Sequence, residues 1–124
     1  IPYSPLAGGV LTGKYNDGER PEGARFTNYM NAGERQKVMA QRFVNDKSIA
    51  STRAFMDIAK EEGVSVVTLA TAWSKQADFV ASTIVGATHP DQMDDIIKAA
   101  YLTISTDANK KIDEVSLEHR YPMG

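Results

Sequence analysis

Proline and glycine crowd the stretch from Pro2 to Asn31, where Pro2, Pro5 and Pro21 stand among Gly8, Gly9, Gly13, Gly18 and Gly23. Proline lacks a backbone donor and fixes φ, and glycine costs the most entropy to order, so no long helix can run through it. A loop of this length inside a compact domain is either functional or mobile, and its composition is compatible with both. The texture changes near residue 33. Residues 34–44 predict a helix with Val38, Met39 and Phe43 on one side. A second helix is expected over 46–62, striped by Ala54, Phe55, Ile58 and Ala59 and stopped by Gly63. Ser65 stands at an N-cap position before Val66, Leu69, Ala70 and Trp73, which share the spacing of one buried face, and that helix should end near Gln76.

"FVASTIVGA", residues 79–87, clusters β-branched residues in a short run bounded by Gly86, and predicts a strand over about 80–86. Pro90 then fits the first position of a helix capped by His89 or Thr88, with Met93, Ile96, Ile97 and Ala100 as its buried face. A last helix is expected over 106–116, with Ala108, Ile112 and Val115 inward, and 119–124 reads as a tail. The chain of 124 residues supports one hydrophobic core and one domain. Its net charge of −2 and lack of a basic run exclude general nucleic-acid and acidic-membrane binding. With no cysteine there is neither a disulfide framework nor a thiolate site, which is compatible with a cytoplasmic setting. No apolar run approaches the roughly 18 residues that would suggest a membrane span.

Two places are suited to an anion. In the opening loop, Gly8 and Gly9 let backbone approach a ligand closely while Lys14 supplies a compact positive charge. Tyr15 follows Lys14 where a Walker A loop needs Ser or Thr, and no Rossmann G-x-G-x-x-G occurs. The second place is the turn from Gly86 to the helix at Pro90, whose free N–H groups and dipole favour a phosphate. Asp91, Asp94 and Asp95 equally explain that helix start without a ligand. No catalytic constellation is visible. His89 and His119 share no metal-ligand spacing, and the Asp94 and Asp95 carboxylates diverge by about 100° on a helix, which rules out a dyad. Trp73 reads as core packing, and nothing at local spacing activates any tyrosine as an acid.

Three ordered blocks then carry a resemblance: "YSPLAGGVLTGKY" at 3–15, "EEGVSVVTLATAW" at 61–73 and "STIVGATHPDQMDDIIKAA" at 82–100. Together they resemble the C-terminal part of an aldo-keto reductase. The resemblance implies an α/β fold, the C-terminal fragment of a TIM (β/α)8 barrel that is predominantly helical as it stands. Residues 1–32 would be the cofactor-binding loop after strand 7, 33–77 helices, 79–101 strand 8 with helix 8, and 102–124 a final helix and tail. Ile1 and Pro2 would end strand 7. The loops after strands 7 and 8 of such barrels commonly hold phosphate, so both anion sites would serve one ligand.

By that resemblance the ligand is NADP(H). Ser4, Pro5, Leu6, Ala7 and Gly8 resemble the loop beside the pyrophosphate, with Lys14 and Arg25 as phosphate cations. Gly86, Thr88 and Gln92 resemble the 2′-phosphate and ribose contacts, and Asp95 falls where the family often has a Glu reaching the adenine. Ile96 replaces an Asn common beside that Glu. The family's Asp, Tyr, Lys and His tetrad comes from earlier strands, so these residues alone are expected to clamp cofactor and to show no reductase activity on a carbonyl substrate. Two other readings stay open: an NADP-binding interaction subunit, as some members are for ion channels, and a self-contained helical interaction module. Strand edges left bare would need cover, for instance in a homo-oligomer. Arg20 to Tyr29 and the tail from Arg120 are expected to contribute to the wall of the carbonyl pocket.

Overall fold

A computed structural model describes residues 1–123. Six α-helices make up most of it: α1 (Arg25–Met30), α2 (Glu34–Phe43), α3 (Asp46–Glu61), α4 (Val66–Lys75), α5 (Met93–Tyr101) and α6 (Thr106–Glu118). Their ends follow local chemistry. Asn45 caps α3 by accepting from Ser48 N at 3.0 Å while Asn45 N donates to Ser48 Oγ at 3.1 Å, a reciprocal capping box. Ser65 accepts from Thr68 N at the start of α4, and Ser105 from Ala108 N at the start of α6. Past α3 the chain reverses through Gly63 at φ 70°, and Val64 N returns to Ala59 O at 3.0 Å.

The helices bury two clusters. Ile58 and Ala59 of α3, Val66, Leu69 and Ala72 of α4, Ala99 of α5 and Ala108 and Ile112 of α6 form the larger one, with Ile104. Small alanines sit at its centre, which lets α4 pack closely on α3 and α5. Beneath the opening loop, Val10, Tyr15, Phe26, Ala40 and Val44 form the second.

Three expected faces are displaced. On α4 the buried residues are Val66, Thr68, Leu69, Thr71 and Ala72, an arc turned by about 100° from the expected stripe. Trp73, expected in the core, is 48% exposed. Threonines do this: Thr68 is buried because its hydroxyl donates to Asp95 O of α5 at 2.9 Å, so a polar-looking position faces a helix. On α5 Ile96 and Ala99 are buried while Met93, Ile97 and Ala100 are exposed. On α2 only Ala40 is buried, and Val38 and Met39 face outward, because α2 lies at the margin and packs chiefly on the short α1.

The strand expected over 80–86 is not a paired strand. It makes one isolated parallel bridge, Ile84 with Tyr3, in which Ile84 N donates to Pro2 O at 2.9 Å. A strand is stabilised by ladder bonds to neighbours, and only Pro2 and Tyr3 lie alongside. The opening loop, by contrast, carries more structure than its composition suggests, with 3-10 turns at Ala7–Thr12 and Asn16–Gly18 before α1.

The tail is held as well. Arg42 Nε donates to Met123 O at 2.7 Å, Asn45 Nδ2 to Pro122 O at 2.9 Å, and Lys47 Nζ to Arg120 O. It therefore runs over the α2–α3 junction. Asn45 serves both the cap and the tail, so Asn45→Ala is expected to lower stability by about 1–2 kcal/mol, read from the urea midpoint with Ser48 amide exchange as the local probe.

Candidate cofactor site

Left-handed backbone shapes the opening loop. Ser4, Ala7, Gly8 and Gly9 have φ of 56°, 49°, 67° and 97°, and Ser4 Oγ accepts from Gly8 N at 3.1 Å to close the turn. Pro5 and Leu6 form its crown, with Ala7 N bonded to Ser4 O and Gly9 N to Leu6 O. A Cβ at Gly8 would lie 2.8 Å from Phe26 Cζ and 3.5 Å from Arg25 Nη1, and one at Gly9 would lie 2.9 Å from Lys14 Nζ. Lys14 and Arg25 thus converge on neighbouring glycines, whose missing side chains let Phe26 and Lys14 pack directly on the turn.

Support comes from beneath. Tyr15, fully buried, accepts from Phe26 N through its hydroxyl at 3.0 Å, and Phe26 stacks on Phe43 with centroids 5.0 Å apart. This fixes the start of α1, and with it Arg25. Thr12 Oγ1 accepts from Lys14 N and donates to Gly9 O, tying the lysine's backbone to the turn. Burial, and then the positive charge of Arg25, push the Lys14 amine below the ordinary lysine range. Among the described residues no carboxylate forms an ion pair with either cation. Two cations brought together without a counter-charge make a site that an anion stabilises.

The turn after Ile84 is built differently. Pro90 opens a 3-10 turn, Pro90–Gln92, with His89 in the N-cap position as expected but without a side-chain cap; Gln92 Oε1 closes the turn instead, accepting from Thr88 N at 2.9 Å and from Thr88 Oγ1 at 3.4 Å. Asp95 pairs with Lys98 at 3.0 Å, and hydrogen bonds from Lys98 and then Ser65 hold its carboxyl below the usual range. Gly86 is exposed and has no heavy atom within 4 Å of its Cβ direction.

The structure therefore gathers Ser4, Gly8, Lys14 and Arg25, and separately joins Thr88 to Gln92. Asp95 is engaged within α5 and with α4. One link orders the two groups: the Tyr3–Ile84 bridge is parallel, so the loop leaving at Ser4 and the turn leaving at Gly86 emerge at the same end of the pair. Surface concavities lined by Met56, Lys60 and Val64, and by Asp17, Asp46 and Arg53, include none of these residues. Sequence reasoning missed Thr12, Tyr15 and Phe26, since their bonds depend on how the loop closes. Among the described residues no group of His, Cys, Asp or Glu could hold a metal, and no helix is long and apolar enough to cross a membrane.

Among the described residues the fold is helices beside one isolated parallel bridge, and the class of protein comes from the family the sequence matches. The sequence matches the profile of the Aldo/keto reductase family over residues 1–117, and the chain belongs to that family. It is 34% identical over 122 residues to "Protein tas" of Escherichia coli K12, covering 98% of this chain and 33% of that protein. It is 41% identical over 97 residues to a "Probable voltage-gated potassium channel subunit beta" of Arabidopsis thaliana, covering 78% and 28%. To the "L-glyceraldehyde 3-phosphate reductase" of E. coli K12 it is 30% identical over 115 residues, covering 92% and 32%. The chain spans about a third of the length of the curated relatives it matches.

Proposed function

We propose that this chain is the cofactor clamp of an NADP(H)-dependent aldo-keto reductase acting on an aldehyde or ketone. The observation that carries it is the convergence on the Gly8–Gly9 turn of Lys14 and Arg25, which form no ion pair with a carboxylate among the described residues. The cradle suits a dinucleotide phosphate: the glycines let Phe26 and Lys14 close directly on the turn, two cations would balance the phosphate charge, and Ser4 braces the turn. When bound, the nicotinamide supplies hydride to a carbonyl carbon. Lys14 and Arg25 would hold phosphate, Ser4 to Ala7 would pack beside it, and Gly86 with Thr88 and Gln92 would meet the ribose end. Asp91, Asp94 and Asp95 make that second turn the weaker phosphate site, so Lys14 and Arg25 would supply most of the positive charge that holds the cofactor.

No acid or base for carbonyl reduction is assigned within these residues, so turnover belongs to a protein of the relatives' length, in a partial (β/α)8 barrel completed by further strands. Lys14→Ala and Arg25→Ala are each expected to weaken NADPH binding roughly tenfold, and affinity should fall as salt rises. Fluorescence titration of the chain checks this, and unchanged affinity in both variants would sink the clamp. Similarity to a potassium channel subunit beta favours a second reading, a cofactor-binding subunit. NADPH-dependent turnover of a simple aldehyde by the full-length protein separates the two, since a pure binding subunit gives none.

A further inference from the structure

Lysines of this chain differ in their surroundings. Lys98 pairs with Asp95, Lys111 with Glu61 and Asp107, and Lys47 donates to the tail. Lys14 has no carboxylate partner among the described residues; it lies half-buried with its amine packed on Gly9 and 5.5 Å from the Tyr15 ring centroid. The cation Arg25 stands at the adjoining glycine of the same turn, near enough for its charge to act on the amine. An amine desolvated beside a second cation is the setting that makes a lysine nucleophilic. The same setting attracts phosphate, so an electrophile carrying phosphate on its leaving side would be delivered to the amine.

We propose that Lys14 is an acylation site, taking its acyl group from an acyl phosphate whose phosphate docks on Arg25 and the Gly8–Gly9 turn. The proposal rests on the reading of this turn as phosphate-binding, and adds regulation of that same site. In the step, the free Lys14 Nζ attacks the acyl carbonyl carbon and a C–N bond forms. The carbon–oxygen bond to phosphate then breaks, and phosphate leaves with the electron pair and takes up the proton shed by the nitrogen. No oxidant or reductant is needed. The lowered affinity of the Lys14 amine for its proton raises the free-amine fraction near neutral pH. Acylation removes one of the two charges, and because the amine lies 2.9 Å from where a Gly9 Cβ would be, it places the added group beside the turn. The modified loop would no longer hold phosphate.

Acetyl phosphate is the probe. The chain is incubated with it and acetylation of each lysine is followed by peptide mass spectrometry, with N-acetoxysuccinimide as a donor that lacks phosphate. Lys14 is expected to react about fivefold or more faster than the exposed Lys37 and Lys60 with acetyl phosphate, and to show a smaller preference with the phosphate-free donor. Arg25→Gln should remove the extra preference for acetyl phosphate while leaving Lys37 and Lys60 unchanged, and inorganic pyrophosphate should protect Lys14. Equal rates at Lys14 and Lys37, or a preference that survives Arg25→Gln undiminished, overturns the proposal. NADPH titration of the same samples separates the two readings. Selective labelling without NADPH affinity leaves the acylation site standing and overturns the cofactor, and NADPH affinity with unselective labelling does the reverse.

Discussion

Replacement of Tyr15 by alanine is expected to destabilise the chain by about 3–5 kcal/mol, the cost of emptying a large aromatic site that cannot collapse. Tyr15 is fully buried, its ring lies 5.8 Å from that of Phe26, and its hydroxyl accepts the Phe26 N–H. Truncation removes the ring's contacts and also strands a buried donor at the first turn of α1. Tyr15→Phe isolates the second effect, and should cost about 1–3 kcal/mol through the unmet N–H alone. Urea unfolding of both variants measures the difference. Since single domains retain only about 5–15 kcal/mol in all, the alanine variant should also release Arg25 from its place beside Gly8. A loss below about 1 kcal/mol for Tyr15→Ala would mean that the cluster beneath the opening loop does not contribute to the cooperative fold.

Gly8→Ala should follow closely, at about 2–4 kcal/mol. Part of this is backbone: φ at Gly8 is +67°, where an L side chain costs about 1 kcal/mol or more. The rest is overlap, because the new Cβ would lie 2.8 Å from Phe26 Cζ, and forcing a methyl into a packed aromatic costs about 1–3 kcal/mol. Phe26 cannot turn aside. It is 3% exposed, stacked on Phe43 and edge-on to Tyr29 at 5.9 Å. Gly23→Ala is the control, since Gly23 has a φ of +75° and nothing within 4 Å of its Cβ direction, so strain acts there alone. Equal midpoints for the two variants would show that the Gly8–Phe26 contact has no energetic weight. The Gly8 variant should also weaken NADPH binding, because pushing on Phe26 displaces the start of α1 and with it Arg25.

The residues proposed for the site were legible in unequal degree. Gly8, Gly9 and Lys14 stand out in the sequence because a glycine pair beside a cation is a local feature. Arg25 does not, for nothing in its neighbourhood separates it from Arg20 or Arg35; only the family resemblance points to it. What joins it to Lys14 is the Tyr15–Phe26 bond, and that bond exists only once the loop has closed. Gln92 is expected at the ribose end by the same resemblance, and the structure adds that its side chain braces the turn through Thr88.

The existence and the capped starts of α3, α4 and α6 were determined by the sequence itself, whereas α1 lies in the stretch whose composition predicts loop. Asn45 with Ser48, Ser65 with Thr68, Ser105 with Ala108, and Gly63 all act within a few residues, where the chain has no closure entropy to overcome. Which face each helix buries was decided only in the tertiary structure. Thr68 is drawn inward by a carbonyl on α5, and Trp73 is left out because no neighbour covers it. Residues 80–86 carry strand composition, but a strand needs a second strand, and Pro2 and Tyr3 supply a single bridge. Composition sets what a segment can bury or pair. Whether it does so depends on which distant segments come alongside, and that is settled by long-range contacts that no local pattern encodes.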